Sequence, residues 1–221
     1  VVVKRIIDLT LPIKPGVDRI GVATSFKQVQ TFKRNGWQGS SVFMHAHTGT
    51  HIDAPLHFIR GGDSIDKIPL ERLIGEGMIL DFTSKGLGEA ITHRELAKFN
   101  AEIKAGHIVI LRTDWTGKSW GKPDFFENSP YLTKDAAEWL ARRKIKAVGY
   151  DFAEEFAIRR TQFKPEECVV HMILLSNGIF NIEYLTNLNK LTTKNPTIFA
   201  LPIPLRGLEG APARVIAIER N

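Results

Sequence analysis

The stretch His47-Thr48-Gly49-Thr50-His51-Ile52-Asp53-Ala54-Pro55-Leu56-His57 constrains this chain more than any other. Four of the seven histidines, His45, His47, His51 and His57, fall in it or just ahead of it. Imidazole is the commonest protein ligand for zinc-like ions, and a carboxylate among imidazoles adds a charged oxygen donor. Positions 47, 51, 53 and 57 would share one face of a strand, because side chains alternate with period two. A straight strand cannot gather them, however. At roughly 3.3 Å per residue His47 and His57 would stand about 33 Å apart. A helix is no better, since Thr48, Gly49, Thr50 and Pro55 are poor helix formers. The chain must bend, and Gly49 and Pro55 supply the means. The expectation is a strand ending near His47, then a folded loop that converges three or four side chains. Apolar Val42, Phe43 and Met44 precede the stretch, and Ile52, Leu56 and Phe58 run through and beyond it. That composition predicts burial, and buried histidines need partners. The pattern points to a hydrolytic metal site.

The remaining composition is ordinary. With 221 residues, 43% hydrophobic and 24% charged, the chain can build a full core without disulfides. Its one cysteine, Cys168, rules out an intrachain disulfide and fits a reducing compartment, so the expected location is the cytoplasm. Cys168 reads as a buried structural thiol. The first residues carry charges inside the apolar run and lack a signal-peptide core. No stretch approaches 18 uninterrupted apolar residues, so no membrane role is expected. The net charge of +6 raises the question of nucleic acid, but basic and acidic residues are interleaved, and no nucleic-acid partner is expected. The densest basic cluster, Arg142-Arg143-Lys144-Ile145-Lys146, reads as the charged end of a helix. The charge still favours anionic small molecules.

There is no repeat, low-complexity segment or linker. Strands are predicted at 3–9, 41–46, 78–82, 108–112, 147–150, 197–201 and 214–218. A capping box, Thr92 to Glu95, opens a helix over 95–99, Thr133 caps another over 134–143, and a third covers 169–175. Strands and helices alternate in the middle and both ends are strand-rich, which indicates a mixed α/β fold in a single domain over 1–221. His93 and His107 read as a solvated capping-box residue and a strand-entry residue. The aromatic segment Trp115 to Phe126 has three readings: a loop over a pocket, a subunit contact, or a long loop tacked to the core.

His171 and Glu183 form a second candidate pair. Asn177-Gly178 is a turn signal between them. His171 is expected on a short helix and Glu183 on the extended segment 179–183, with reversal at Gly178 bringing them together.

The stretch 47–57 resembles the signature of the cyclase family of metal-dependent hydrolases, His-x-Gly-Thr-His-x-Asp-x-Pro-x-His, at every fixed position. The spacing of His171 and Glu183 is similar to a downstream pair in that family. Segments 201–214 and 110–115 resemble it too, although members often have Gly where Asp114 stands. The family includes bacterial kynurenine formamidase and isatin hydrolase. The resemblance implies a swivelling β/β/α-type architecture with a mixed β-sheet core. It implies that His47, His51 and Asp53 hold one divalent ion, that Asp53 and Glu183 bridge to a second bound also by His171, and that His57 is the acid/base. Zn2+ is the first expectation and Mn2+ the second, with one or two ions per chain. A homodimer or homotetramer is expected, with Trp115, Trp120 or Phe126 near the contact. His45 lies outside the pattern and reads as a strand residue, with orientation of a metal ligand as the second reading.

The implied chemistry is attack of metal-bound hydroxide on a small amide, formamide, lactam or ester, with His57 delivering a proton from a pKa near neutrality. A lyase, dehydratase or cyclase using the same site is the alternative, and a structural metal is a third reading. His57 argues against that third reading, being one imidazole more than a closed site needs. Two departures argue against N-formylkynurenine as substrate. The first loop, Pro15-Gly16-Val17-Asp18-Arg19-Ile20, lacks the tryptophan of the formamidases. Phe152-Ala153-Glu154-Glu155-Phe156 replaces their small turn. Glu154 and Glu155 are read either as solvated or paired with Arg159 and Arg160, or as facing the pocket to select a cationic group.

Overall fold

The computed structural model describes residues 3–17 and 22–220. Its strands are β1 (Val3–Asp8), β2 (Gly16–Val17), β3 (Ala23–Gln30), β4 (Gly39–Phe43), β5 (His51–Asp53), β6 (Ile74–Asp81), β7 (Ala90–Ile91), β8 (Ile108–Arg112), β9 (Tyr131–Leu132), β10 (Ala147–Tyr150), β11 (Phe180–Glu183), β12 (Thr197–Pro202) and β13 (Gly210–Arg220). The α-helices are α1 (Phe32–Asn35), α2 (His93–Leu96), α3 (Trp115–Ser119), α4 (Lys134–Ala141) and α5 (Val169–Ser176). The fold is mixed α/β, as the alternation of elements predicts.

The main sheet runs β1-β13-β12-β6-β8-β10-β11-β5, and β5 pairs back onto β13. Gly210 stands opposite Asp53 and Pro212 opposite His51, so the sheet closes into a barrel-like ring with β1 outside it. Neighbours β6, β8, β10 and β11 are parallel, and the other pairs of this sheet are antiparallel. Strands of such a parallel run are covered on both faces, which explains their continuous apolar sequences. In β8, Ile108 and Ile110 join a cluster with Ile52, Ile182 and Val215 from the other strands of the ring. Val109 and Leu111 point the other way, to a cluster under Ala136 and Leu140 of α4 and Val170 and Leu174 of α5. The period of two thus divides one strand between two cores.

The basic cluster is a helix end: Arg142 caps α4, Arg143 lies 4.1 Å over the Trp139 ring, and Lys146 donates to the Ile74 carbonyl. The aromatic segment is tacked to its own core. Trp115 is buried and its indole donates to the Phe125 carbonyl, while Trp120, Phe125 and Phe126 all pack on Tyr184. Trp115 is therefore buried within its own chain, while Trp120 and Phe126, the other two residues expected near a contact, are half-buried. Exposed apolar side chains collect instead on the β3–β4 hairpin and the turn within it: Phe26, Val29, Phe32, Trp37, Val42 and Phe43. Of the first loop, positions 18–20 lie outside the described residues.

Candidate metal centre

β4 ends at Phe43, and the chain turns before His47 rather than continuing as a strand to 46. Gly49 takes φ +64, a region that favours glycine. Thr50 then pins the bend: its buried hydroxyl accepts from the Leu11 amide at 2.9 Å and donates to the Tyr184 carbonyl at 2.7 Å. His51–Asp53 forms β5, and Pro55 opens a single 3-10 turn that ends at His57. The result is convergence. The His47 ring centroid lies 4.1 Å from that of His57 and 4.8 Å from that of His51. Gly210 makes room for it, since a Cβ there would meet His47 Cε1 at 2.8 Å and the Ile52 carbonyl at 2.9 Å.

The second half arrives from across the ring. β11 pairs with β5 so that Glu183 stands opposite His51, and α5 brings His171 over them. Gly178, at φ +67, makes the reversal between the two. Asp53 turns Oδ1 toward His47 Nδ1 (2.8 Å) and His51 Nε2 (3.4 Å), and Oδ2 toward His171 Nε2 (3.3 Å). Glu183 does the same, with Oε2 3.6 Å from His51 Nε2 and Oε1 3.0 Å from His171 Nε2. Each carboxylate faces both groups of imidazoles, as a bridge between two ions requires.

These separations fit metal ligands. Two ligands each about 2.1 Å from a tetrahedral ion lie about 3.4 Å apart. Despite the short approach of His47 Nδ1, Asp53 Oδ1 has no hydrogen-bond partner, so the contact lacks hydrogen-bond direction. Three overlapping groups offer converging ligand atoms: His47, Asp53 and His57; His51, Asp53 and Glu183; Glu154, His171 and Glu183. All six residues singled out in the sequence meet in one nest.

The surrounding groups orient the ligands. His51 Nδ1 lies 2.9 Å from the Gly49 carbonyl, so it donates there and, in the neutral ring, leaves the Nε2 lone pair to the nest. His171 Nδ1 lies 3.2 Å from Glu155 Oε1, which also accepts the His171 amide at 2.8 Å. Behind Asp53 runs a chain: Tyr150 donates to Asn181 and Asn181 to Asp53 Oδ2, each at 3.4 Å. His45 is not a strand residue. It lies beyond β4, its Nδ1 accepts the His47 amide at 3.2 Å, and its ring lies 5.3 Å from that of His47.

Of the two readings of Glu154 and Glu155, the solvated, arginine-paired one is wrong, and both carboxylates lie against His171. Both are buried at 1% exposure or less, and neither is solvated or paired with the arginines. Arg159 donates to the Glu127 and Gly88 carbonyls, and Arg160 pairs with Glu167. Their turn is anchored by Asp151, which accepts from the Thr113 amide and hydroxyl and from the Asp114 amide. Asp114 itself takes φ +60, which explains why glycine suits that position, and Arg112 grips its carboxylate with two nitrogens.

Burial sets the electrostatics of the nest. It pushes His57 down to about 4, despite the opposing pull of Asp53, so this ring rests neutral and not near its own titration point. Burial would lower His171 too, but Glu154, Asp53, Glu155 and Glu183 outweigh it and hold that ring well above the usual range. For Asp53, burial is overcome by His57 and by His171, His47 and His51, which keep it well below the carboxylate range. Burial and then Glu155 push the Cys168 thiol up to about 12, the value of a structural thiol.

The "Putative cyclase" family model matches residues 7–154. The chain belongs to the cyclase family. It is 30% identical over 173 residues to a kynurenine formamidase of Bacillus thuringiensis (strain Al Hakam), covering 78% of this chain and 76% of that one. It is 29% identical over 188 residues to an isatin hydrolase of Roseibium aggregatum, covering 78% and 71%. Among solved structures, isatin hydrolase A from Labrenzia aggregata superposes with a TM-score of 0.85 at 26% identity, over 98% of this chain and 94% of that one. A structure described as a potential metal-dependent hydrolase with cyclase activity gives 0.76 at 29% identity, over 98% of both chains. The family membership inferred from the 47–57 signature is thereby shown.

Proposed function

We propose that this chain is a metal-dependent hydrolase of a small amide, formamide, lactam or ester, with water attacking directly and His57 as the acid/base. The observation that carries the proposal is the convergence of His47, His51, Asp53, His57, His171 and Glu183 in one nest, with His47 and His57 on its half-buried side. Relatives named for a kynurenine formamide and for isatin support a carbonyl–nitrogen bond as the target. His47, His51 and Asp53 would hold one divalent ion, and Asp53, Glu183 and His171 a second. Zinc suits the imidazole-rich first set and manganese is the other candidate. A divalent cation in this nest supplies Lewis acidity, acidifying water and polarising a carbonyl.

The chain's own groups do the rest. Asp53 and Glu183 bring the negative charge that gathers cations, and Gly49 and Glu155 fix the rings of His51 and His171. His57, neutral at rest, accepts the proton released as water attacks and returns it to the leaving nitrogen or oxygen. Cys168, buried and with a high pKa, offers no nucleophile, and this reading has water attack directly, without a covalent enzyme intermediate. The cytoplasm is the compartment this reading assigns, on the single unpaired and buried cysteine. Among the described residues no helix is long and apolar enough to cross a membrane.

N-formylkynurenine is expected to be a poor substrate. The first loop lacks a tryptophan, and the turn at 152–156 carries two acidic residues. The test is kcat/KM on N-formylkynurenine, a fused-ring lactam and small esters, with zinc and with manganese, in 18O-labelled water. One 18O atom in the product acid and weak turnover of N-formylkynurenine are expected. Turnover of it on the order of 10⁵ M⁻¹s⁻¹ or more would overturn the substrate reading, and an unlabelled product would overturn hydrolysis.

A further inference from the structure

Glu154 is the carboxylate of the nest to which the hydrolase reading gives no task. It is fully buried, and neither of its oxygens has a hydrogen-bond partner. A buried carboxylate left in that condition is strongly disfavoured unless a cation meets it or a proton neutralises it, and the oxygens that crowd one imidazole here favour the cation. Its Oε1 lies 3.3 Å from His171 Nε2. That one nitrogen also faces Glu183 Oε1 at 3.0 Å and Asp53 Oδ2 at 3.3 Å. A ring nitrogen carries at most one proton, so it cannot satisfy three carboxylates. The other nitrogen, Nδ1, is engaged by Glu155.

The backbone holds Glu154 in place. The Leu132 amide donates to the Glu154 carbonyl at 2.8 Å, and the Ala153 amide donates to Ser129 Oγ at 2.8 Å. The side chain is therefore aimed into the nest from a fixed turn. Glu154, His171 and Glu183 present one ligand atom each, all within 4.8 Å of one another. Charge points the same way. Asp53, Glu154, Glu155 and Glu183 are all buried, and together they match the formal charge of two divalent ions.

We infer that Glu154 is a direct ligand of a divalent cation held with His171 and Glu183, and that it tunes this inner subsite toward a hard ion of the manganese class. The inference rests on the metal-dependent reading above. The outer set, His47, His51 and Asp53, has two imidazoles to one carboxylate, a donor set that suits zinc. The inner set has one imidazole among the carboxylates of Asp53, Glu154 and Glu183, and carboxylate oxygen suits manganese.

The test uses the full chain stripped of metal with a chelator, then dialysed against Mn2+ alone, Zn2+ alone and the two together, with bound metal counted by elemental analysis. The wild-type chain should take up two Mn2+. Glu154→Gln keeps the shape and removes the charge. It should hold one Mn2+, or bind the second at least about tenfold more weakly, and take up relatively more zinc in the mixture. Near-UV circular dichroism reports whether the variant is folded. Crystals of the wild-type chain soaked in Mn2+ provide a readout that needs no variant: an anomalous peak is expected at coordination distance from Glu154. Unchanged Mn2+ number and affinity in folded Glu154→Gln would overturn the inference. So would a peak at His47, His51 and Asp53 with none against Glu154, which leaves the hydrolase reading intact. A wild-type chain that binds no divalent ion would overturn both.

Discussion

His57 and Thr50 show how single residues of the signature divide between chemistry and construction. His57 touches the nest through stacking on His47 and is one donor more than the bridging pairs need. His57→Ala is expected to retain most of the metal while kcat falls by about two to four orders of magnitude, the scale of general acid–base catalysis. A variant with near wild-type kcat would remove His57 from the reaction. Thr50 has no catalytic task. Its hydroxyl satisfies a buried amide and a buried carbonyl at once. Thr50→Val keeps the shape and orphans both, so denaturant unfolding should show a loss of about 2–6 kcal/mol, the sum of two such deletions. The metal-type residues were legible because few histidines and carboxylates occupy a stretch too short to gather them by accident. Glu154 and Glu155 were legible only as one of two readings, since charged pairs normally lie in solvent. A signal was present, however: they follow the wholly buried strand 147–150 and sit between Phe152 and Phe156.

At the scale of elements, the site depends on β5 being clasped between β11 and β13. Gly210 is the point of closest approach. In Gly210→Ala the new Cβ would meet His47 and the Ile52 carbonyl, and backbone cannot move aside cheaply. The variant should lose about 1–3 kcal/mol in unfolding experiments and bind less metal. Normal stability with normal metal content would show that the clasp is looser than described. Strands β8 and β10 match their predicted ranges because both of their faces are covered and their apolar runs are unbroken. β3 escaped notice because most of its residues are exposed and its sequence, Ala-Thr-Ser-Phe-Lys-Gln-Val-Gln, lacks an apolar face. β5 is three residues long, too short to leave a period.

The whole molecule is a ring whose closure joins residues far apart in sequence, and no local pattern announces such a pairing. Assembly belongs to the same scale. The exposed apolar side chains of the β3–β4 hairpin, among them Trp37 and Phe43, are the surface proposed to meet a partner. Light scattering at micromolar concentration should give a dimer or tetramer, and Trp37→Ser with Phe43→Ser should shift it toward monomer. A monomeric wild-type mass would contradict this. The nest at β5, β11 and α5 is proposed to hold divalent metal, with Asp53 joining its two halves. Elemental analysis of purified Asp53→Ala beside the wild-type chain tests it most directly. One to two divalent ions per wild-type chain, and loss of most of that metal in the variant, are predicted. Equal metal content in the two proteins would contradict the account.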